Sequence, residues 1–116
     1  TAVVLSNLAG ARGASGDFRG AQALLQRSMV ATRRHFGAGH VRTAIVLCNL
    51  AWVRLKLGDA KYARALLQRG LDIQEAYFGK DHVELADTLS NLGLACGKMG
   101  ELRKELAELQ RSLALQ

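Results

Sequence analysis

Apolar residues recur along the chain at helical spacing, in stretches broken by short glycine-containing segments. Leu47, Leu50, Val53 and Leu55, followed by Leu57, share one face of a helix that ends at Gly58. Beyond the break, Ala63, Leu66, Leu67, Leu71 and Ile73 mark the buried face of a second helix, which stops at Phe78-Gly79. Gly58 supplies the left-handed residue that ends the first helix, and Asp59 caps the second. Gly16-Asp17 repeats this arrangement upstream, and Gly100-Glu101 repeats it less well downstream. Gly79-Lys80-Asp81 links to the next helix, with Asp81 as the expected cap. The pattern predicts six helices, at about 2–14, 18–35, 41–57, 60–77, 83–99 and 102–115.

These elements are copies of one another. Asn7, Asn49 and Asn91 fall into a common register, as do Gly16, Gly58 and Gly100, so the period is 42 residues. About half of the first 42 positions recur identically in the second 42, including Ala23-Leu-Leu-Gln-Arg27 as Ala65-Leu-Leu-Gln-Arg69. Phe36-Gly37 with His40-Val41 returns as Phe78-Gly79 with His82-Val83. The third copy keeps Leu89, Asn91, Leu92, Gly100, Leu109-Gln-Arg111 and Leu113. A single helical hairpin cannot bury its apolar face, so the chain is expected to form one all-α repeat domain over 1–116, with three stacked hairpins at about 1–39, 40–81 and 82–116.

The unit Leu-x-Asn-Leu-Ala, Gly-Asp, Ala-x-x-Leu-Leu-x-Arg-x-Leu-x-Ile and Phe-Gly-x-x-His resembles the tetratricopeptide repeats of the kinesin light chain type across essentially the whole chain. Ala51, Ala63, Gly58, Leu47, Leu50, Leu67 and Leu71 match positions that such repeats use to pack their two helices. The resemblance implies a right-handed α-solenoid of three hairpins and the role of a non-enzymatic interaction scaffold. There are departures. Val41 and Val83 stand where proline is frequent, and Arg12 and Arg54 stand where an aromatic is usual, their charged ends expected to reach water. Glu105 replaces the small residue seen as Ala21 and Ala63, which should splay the last helix unless Gly93 leaves room.

In such repeats the first helices line a concave groove, and the resemblance places Asn7, Asn49 and Asn91 there, with Lys56, Lys98 and Trp52. An amide side chain both donates to a carbonyl and accepts from an N–H, so a row of asparagines can hold an extended peptide whatever its sequence. The lysines would then select acidic side chains, and Trp52 offers an aromatic anchor. The alternatives are that the asparagines maintain helix geometry and that Trp52 is partly buried between units. No polar capping helix closes either end, so exposed apolar faces are expected and the chain reads as part of a longer array or assembly. The second functional reading follows from this: a structural subunit docked in a larger complex through its end and convex faces.

Composition narrows the field further. The 116 residues, 49% hydrophobic with no proline, give room for one helical domain and exclude a multidomain enzyme. Charged residues interrupt every long apolar stretch, which disfavours a membrane span, and the apolar content disfavours disorder. Residues 1–58 carry eight basic and one acidic side chain, whereas residues 59–116 carry eight and nine, so the basic excess lies in the first half and points to an acidic partner or, alternatively, to a solubilising surface. Nucleic acid fits poorly, because one Trp, two Tyr and three Phe leave few platforms for stacking bases. Cys48 and Cys96 form no metal-spaced pair and read as reduced, small packing residues, and the absence of a signal-like start favours a cytoplasmic location. The series Gly10, Gly13, Gly16 and Gly20 lacks the preceding strand and following Gly-Lys-Ser/Thr of a phosphate loop, and reads as loosening the first helix for close neighbours. His35, His40 and His82 lack further ligands at metal spacing. No cofactor and no catalytic residue is expected.

Overall fold

The computed structural model describes the backbone of residues 2–100 and 102–116 and the side chains of residues 8–100 and 106–116. Among the described residues six α-helices follow one another: α1 Ala2–Ala14, α2 Phe18–Phe36, α3 Val41–Lys56, α4 Ala60–Phe78, α5 Ala86–Lys98 and α6 Leu102–Leu115. These agree with the expected elements to within a residue or so except at α5, which is preceded by a separate 3-10 turn, Val83–Leu85. The turns depend on local chemistry that recurs with the repeat. Gly16, Gly58 and Gly100 close the hairpins at φ of +89°, +89° and +79°, a region that residues with a Cβ avoid. Asp17 and Asp59 then accept the backbone N–H groups of Gly20 and Tyr62 as N-caps of α2 and α4. Arg12 and Arg54 do not simply extend into water: each reaches past the turn glycine to the capping aspartate, at 2.9 and 3.3 Å, and Arg54 also lies 4.3 Å from the Tyr62 ring centre. The Gly20 hydrogen bond, joined by the Arg12 guanidinium, holds the Asp17 carboxyl below its ordinary 3.8. The contribution of this cap is therefore present above that value and fades as acid protonates the carboxylate.

The linkers correct one expectation. Asp81 does not cap α5. Instead His82 Nδ1 accepts the Glu84 N–H at 3.1 Å, and one repeat earlier His40 Nδ1 accepts the Arg42 N–H at 3.1 Å. Both imidazoles are held in place by stacking on the preceding phenylalanine, Phe78 at 4.6 Å and Phe36 at 4.7 Å between ring centres. His82→Ala is thus expected to cost about 1 kcal/mol by removing a cap, whereas Asp81→Ala should stay within about 0.5 kcal/mol of wild type. Urea unfolding followed by circular dichroism distinguishes the two.

Each helix packs on its hairpin partner, and successive hairpins meet where α2 packs on α3 and α4 on α5. The first helices also approach one another directly, as α3 does α5. One core runs through the stack and includes Ala21, Leu25, Leu47, Leu50, Ala63, Leu67, Leu71, Leu89 and Leu92. Small residues set the helix spacing. A Cβ on Gly70 would lie 2.8 Å from Cys48 Sγ, so with cysteine opposite it this position of α4 has no room for a side chain. Glycine at Gly13 serves a similar purpose, since a Cβ there would meet the Trp52 ring at 3.3 Å. Gly20, in contrast, faces its own capping Asp17 rather than a neighbouring helix. The Glu105 side chain lies outside the described residues, and the backbone of α6 spans the expected range.

Candidate functional site

Helical geometry puts residues four, seven and eleven positions apart on one stripe. On α3 the stripe reads Ile45, Asn49, Trp52 and Lys56, all exposed; on α5 it reads Asp87, Asn91, Leu94 and Lys98, all exposed except the half-buried Asn91. Three adjoining cavities lie along these stripes and share Trp52 as a wall. The first, about 160 Å3, is lined by Ala9 and Gly10 of α1, Leu25 of α2, and Asn49, Trp52 and Val53 of α3. The second, about 400 Å3, lies between Cys48, Asn49 and Trp52 of α3 and Asp87, Thr88, Ser90 and Asn91 of α5. The third, about 80 Å3, is formed by Trp52, Leu55, Lys56, Asn91, Leu94 and Lys98. Of the six residues anticipated for binding, Asn49, Trp52, Lys56, Asn91 and Lys98 thus line one continuous face. The Asn7 side chain lies outside the described residues.

Trp52 is both anchored and available. Its ring meets Phe18 edge-on, 5.7 Å between centres, and lies over Gly13, while 37% of the residue remains exposed. Lys56 Nζ sits 5.5 Å from the indole centre, where cation–π attraction holds the ammonium over the ring. Lys56 and Lys98 both lie in the last turn of their helices. The sequence reading passed over Asp87, although it lies one turn before Asn91; it brings a carboxylate into the second cavity.

Beneath that cavity a buried polar chain ties α3, α4 and α5 together. Thr88 Oγ1 donates to Gln74 Oε1 at 2.7 Å, and the Cys48 thiol lies 3.4 Å from the same hydroxyl. Burial pushes the Cys48 thiol above its ordinary range, with Thr88 opposing the shift, so the group stays protonated and is a poor nucleophile or metal ligand. Neither cysteine forms a disulfide. Among the described residues no group of three His, Cys, Asp or Glu side chains is placed to hold a metal ion. No helix among them is long and apolar enough to cross a membrane. A fourth cavity, about 460 Å3, opens between α4 and α6 over Leu92 and Cys96; it lies away from the asparagines and Trp52.

The model of the tetratricopeptide repeat family matches residues 1–76 and 56–116, which together cover the chain. Among solved structures, BtubC (BKLC) from P. vanneervenii superposes with a TM-score of 0.89 at 24% identity, over 98% of this chain and 46% of that one. The chain therefore spans just under half the length of that relative. The nearly identical TPR-like repeats of a kinesin light chain assignment in Podosopora anserina superpose at 0.87 and 19% identity, over 97% of this chain and 54% of that one. The second TPR of Spaghetti (RPAP3), solved with the HSP90 peptide SRMEEVD, superposes at 0.78 and 16% identity, over 99% and 92%. No curated protein matches the sequence.

Proposed function

The chain belongs to the tetratricopeptide repeat family, and on that premise we propose that it is a non-enzymatic interaction module that holds an extended, acidic segment of a partner protein along α3 and α5. One observation carries this reading: Asn49, Asn91 and Trp52 line a common cavity, and Trp52 also walls the cavity adjoining each asparagine. Each amide can bond a peptide backbone without regard to side chain, while Trp52 gives a rigid, partly buried contact area. Lys56 and Lys98 add two cations beside Trp52 and Leu94, where an acidic side chain of the partner gains charge complementarity. A fold neighbour that binds the peptide SRMEEVD supports the binding mode, not the residues that perform it. The Asn-Leu-Ala and Phe-Gly-x-x-His signatures at a 42-residue period support reading the repeats as of the kinesin light chain type. Replacing Asn49, Lys56 and Asn91 together by alanine should abolish capture of the partner by this chain while the circular dichroism of the helices is retained. Unchanged capture would refute the groove as the binding face.

A second reading rests on α6, where Leu106 and Leu113 are 58% and 75% exposed. In it these apolar residues dock into a larger assembly and the groove stays empty. Light scattering of the isolated chain over a range of concentrations separates the two: a monomer supports the groove, whereas self-association supports docking through the end face.

A further inference from the structure

The stripe on α5 is electrically polar. Asp87 stands at its start and Lys98 at its end, eleven residues apart, which is about 16 Å along the helix. The α3 stripe carries Lys56 level with Lys98 but uncharged Ile45 level with Asp87. The cationic rim is therefore shared by two repeats, and the acidic rim belongs to the third alone. Asp87 also benefits from the N-terminal dipole of α5, which accounts for a carboxylate in that turn. The dipole does not account for the surroundings. The carboxylate faces a basin of about 400 Å3 whose other polar walls are Asn49, Thr88, Ser90 and Asn91, and among the described residues no cation pairs with it.

Given the groove reading above, on which this inference rests, we propose that the ligand is an extended segment of mixed charge, with a basic side chain seated in the Asp87 basin and an acidic one at the Lys56/Lys98 rim. The spacing follows from strand geometry. Side chains of an extended peptide alternate in direction, so two side chains an odd number of residues apart point to opposite rims while the backbone runs between them over Asn49 and Asn91. A pair an even number apart points to one rim and leaves one charge facing its like. Asp87 is thus a specificity-determining residue: the asparagines and Trp52 hold any extended chain, and Asp87 selects against segments that are acidic throughout.

The test uses nine-residue peptides of serine, threonine and leucine that carry Glu alone, Arg and Glu three residues apart, or Arg and Glu two residues apart. Trp52 is the single tryptophan, so its emission reports binding in the groove without a label. Wild type is expected to bind the three-apart peptide about two- to fivefold more tightly than either of the others. Asp87→Asn should level the three-apart and Glu-only peptides, and Asp87→Lys should invert their order. Asp87 is exposed, so both variants are expected to keep the wild-type circular dichroism. A wild type that prefers the Glu-only peptide, or an Asp87→Lys variant with unaltered ranking, overturns the inference and leaves the groove reading standing. If no peptide moves Trp52 emission, or if the double variant Asn49→Ala/Asn91→Ala binds all of them as wild type does, the groove reading itself falls and takes the inference with it.

Discussion

Leu71→Ala is expected to destabilise the chain by about 2–5 kcal/mol, and Leu113→Ala, the same substitution one repeat later, by less than about 0.5 kcal/mol. The two leucines occupy one register position, Leu71 in the interior of α4 and Leu113 in the last turn of α6. Their surroundings differ. Leu71 is 3% exposed and belongs to the core, where truncation removes apolar contacts and leaves a cavity the neighbours fill only in part. Leu113 is 75% exposed because no further hairpin covers α6 in this structure. A loss of several kcal/mol is a large share of the total stability of a domain this size, so Leu71→Ala should be partly unfolded at modest urea. Urea titration monitored at 222 nm reads both values. Equal losses at the two sites would mean that Leu113 is covered in solution, for instance by self-association.

Gly70→Ser is expected to cost about 1–3 kcal/mol in the wild-type background and much less when Cys48→Ser is present. Serine is the residue at the Gly70 position in the other two repeats, as Ser28 and Ser112, and both are buried. In those repeats the residue at the Cys48 position is also serine, Ser6 and Ser90. The central repeat has exchanged both members: the larger sulfur stands opposite a residue without a Cβ, and a Cβ added at Gly70 would lie 2.8 Å from that sulfur. Ser112 Oγ donates to the Ala86 carbonyl at 2.8 Å, and the corresponding Ala44 carbonyl lies 3.5 Å from where a Gly70 Cβ would stand. With Cys48 reduced in size, a serine at 70 can therefore form the bond its counterpart forms. A double-mutant cycle in urea should give a coupling of about 0.5–3 kcal/mol in favour of the serine pair. Additive losses would show that α3 and α4 yield independently of this contact.

What the sequence disclosed and what it concealed divide along a physical line. Helix ends were legible because Gly16, Gly58, Asp17 and Asp59 act within a few residues of themselves, and the 42-residue register exposed which leucines share a face. Asp81 was misread as a cap because aspartate is the commoner capping residue, whereas α5 has no side-chain cap and His82 instead caps the 3-10 turn before it, positioned by its stack on Phe78, a contact that exists only once the Gly79 linker has turned. Arg54 was expected in water because the return of the chain at Gly58, which brings Asp59 back to it, is not visible in a list of apolar positions. The residues of the candidate groove could be named from the sequence because Asn49 and Asn91, and Lys56 and Lys98, recur at the 42-residue offset, and Trp52 shares their helix face. Asp87 was passed over because it does not repeat; its counterpart is Ile45, and only the side-by-side placement of α3 and α5 gives it Asn49 as a neighbour.

The most direct measurement of the central claim is a nitrogen-15 chemical-shift titration of the whole chain with a mixed-charge extended peptide. Binding along the inner face predicts shifts at the Trp52 indole N–H, the side-chain amides of Asn49 and Asn91, and the backbone of Ile45, Asp87, Leu94 and Lys98, with α2 and α6 left largely unmoved. Shifts concentrated on the exposed residues of α6, such as Leu106 and Leu113, with the Trp52 indole and both asparagine amides unchanged, would contradict it.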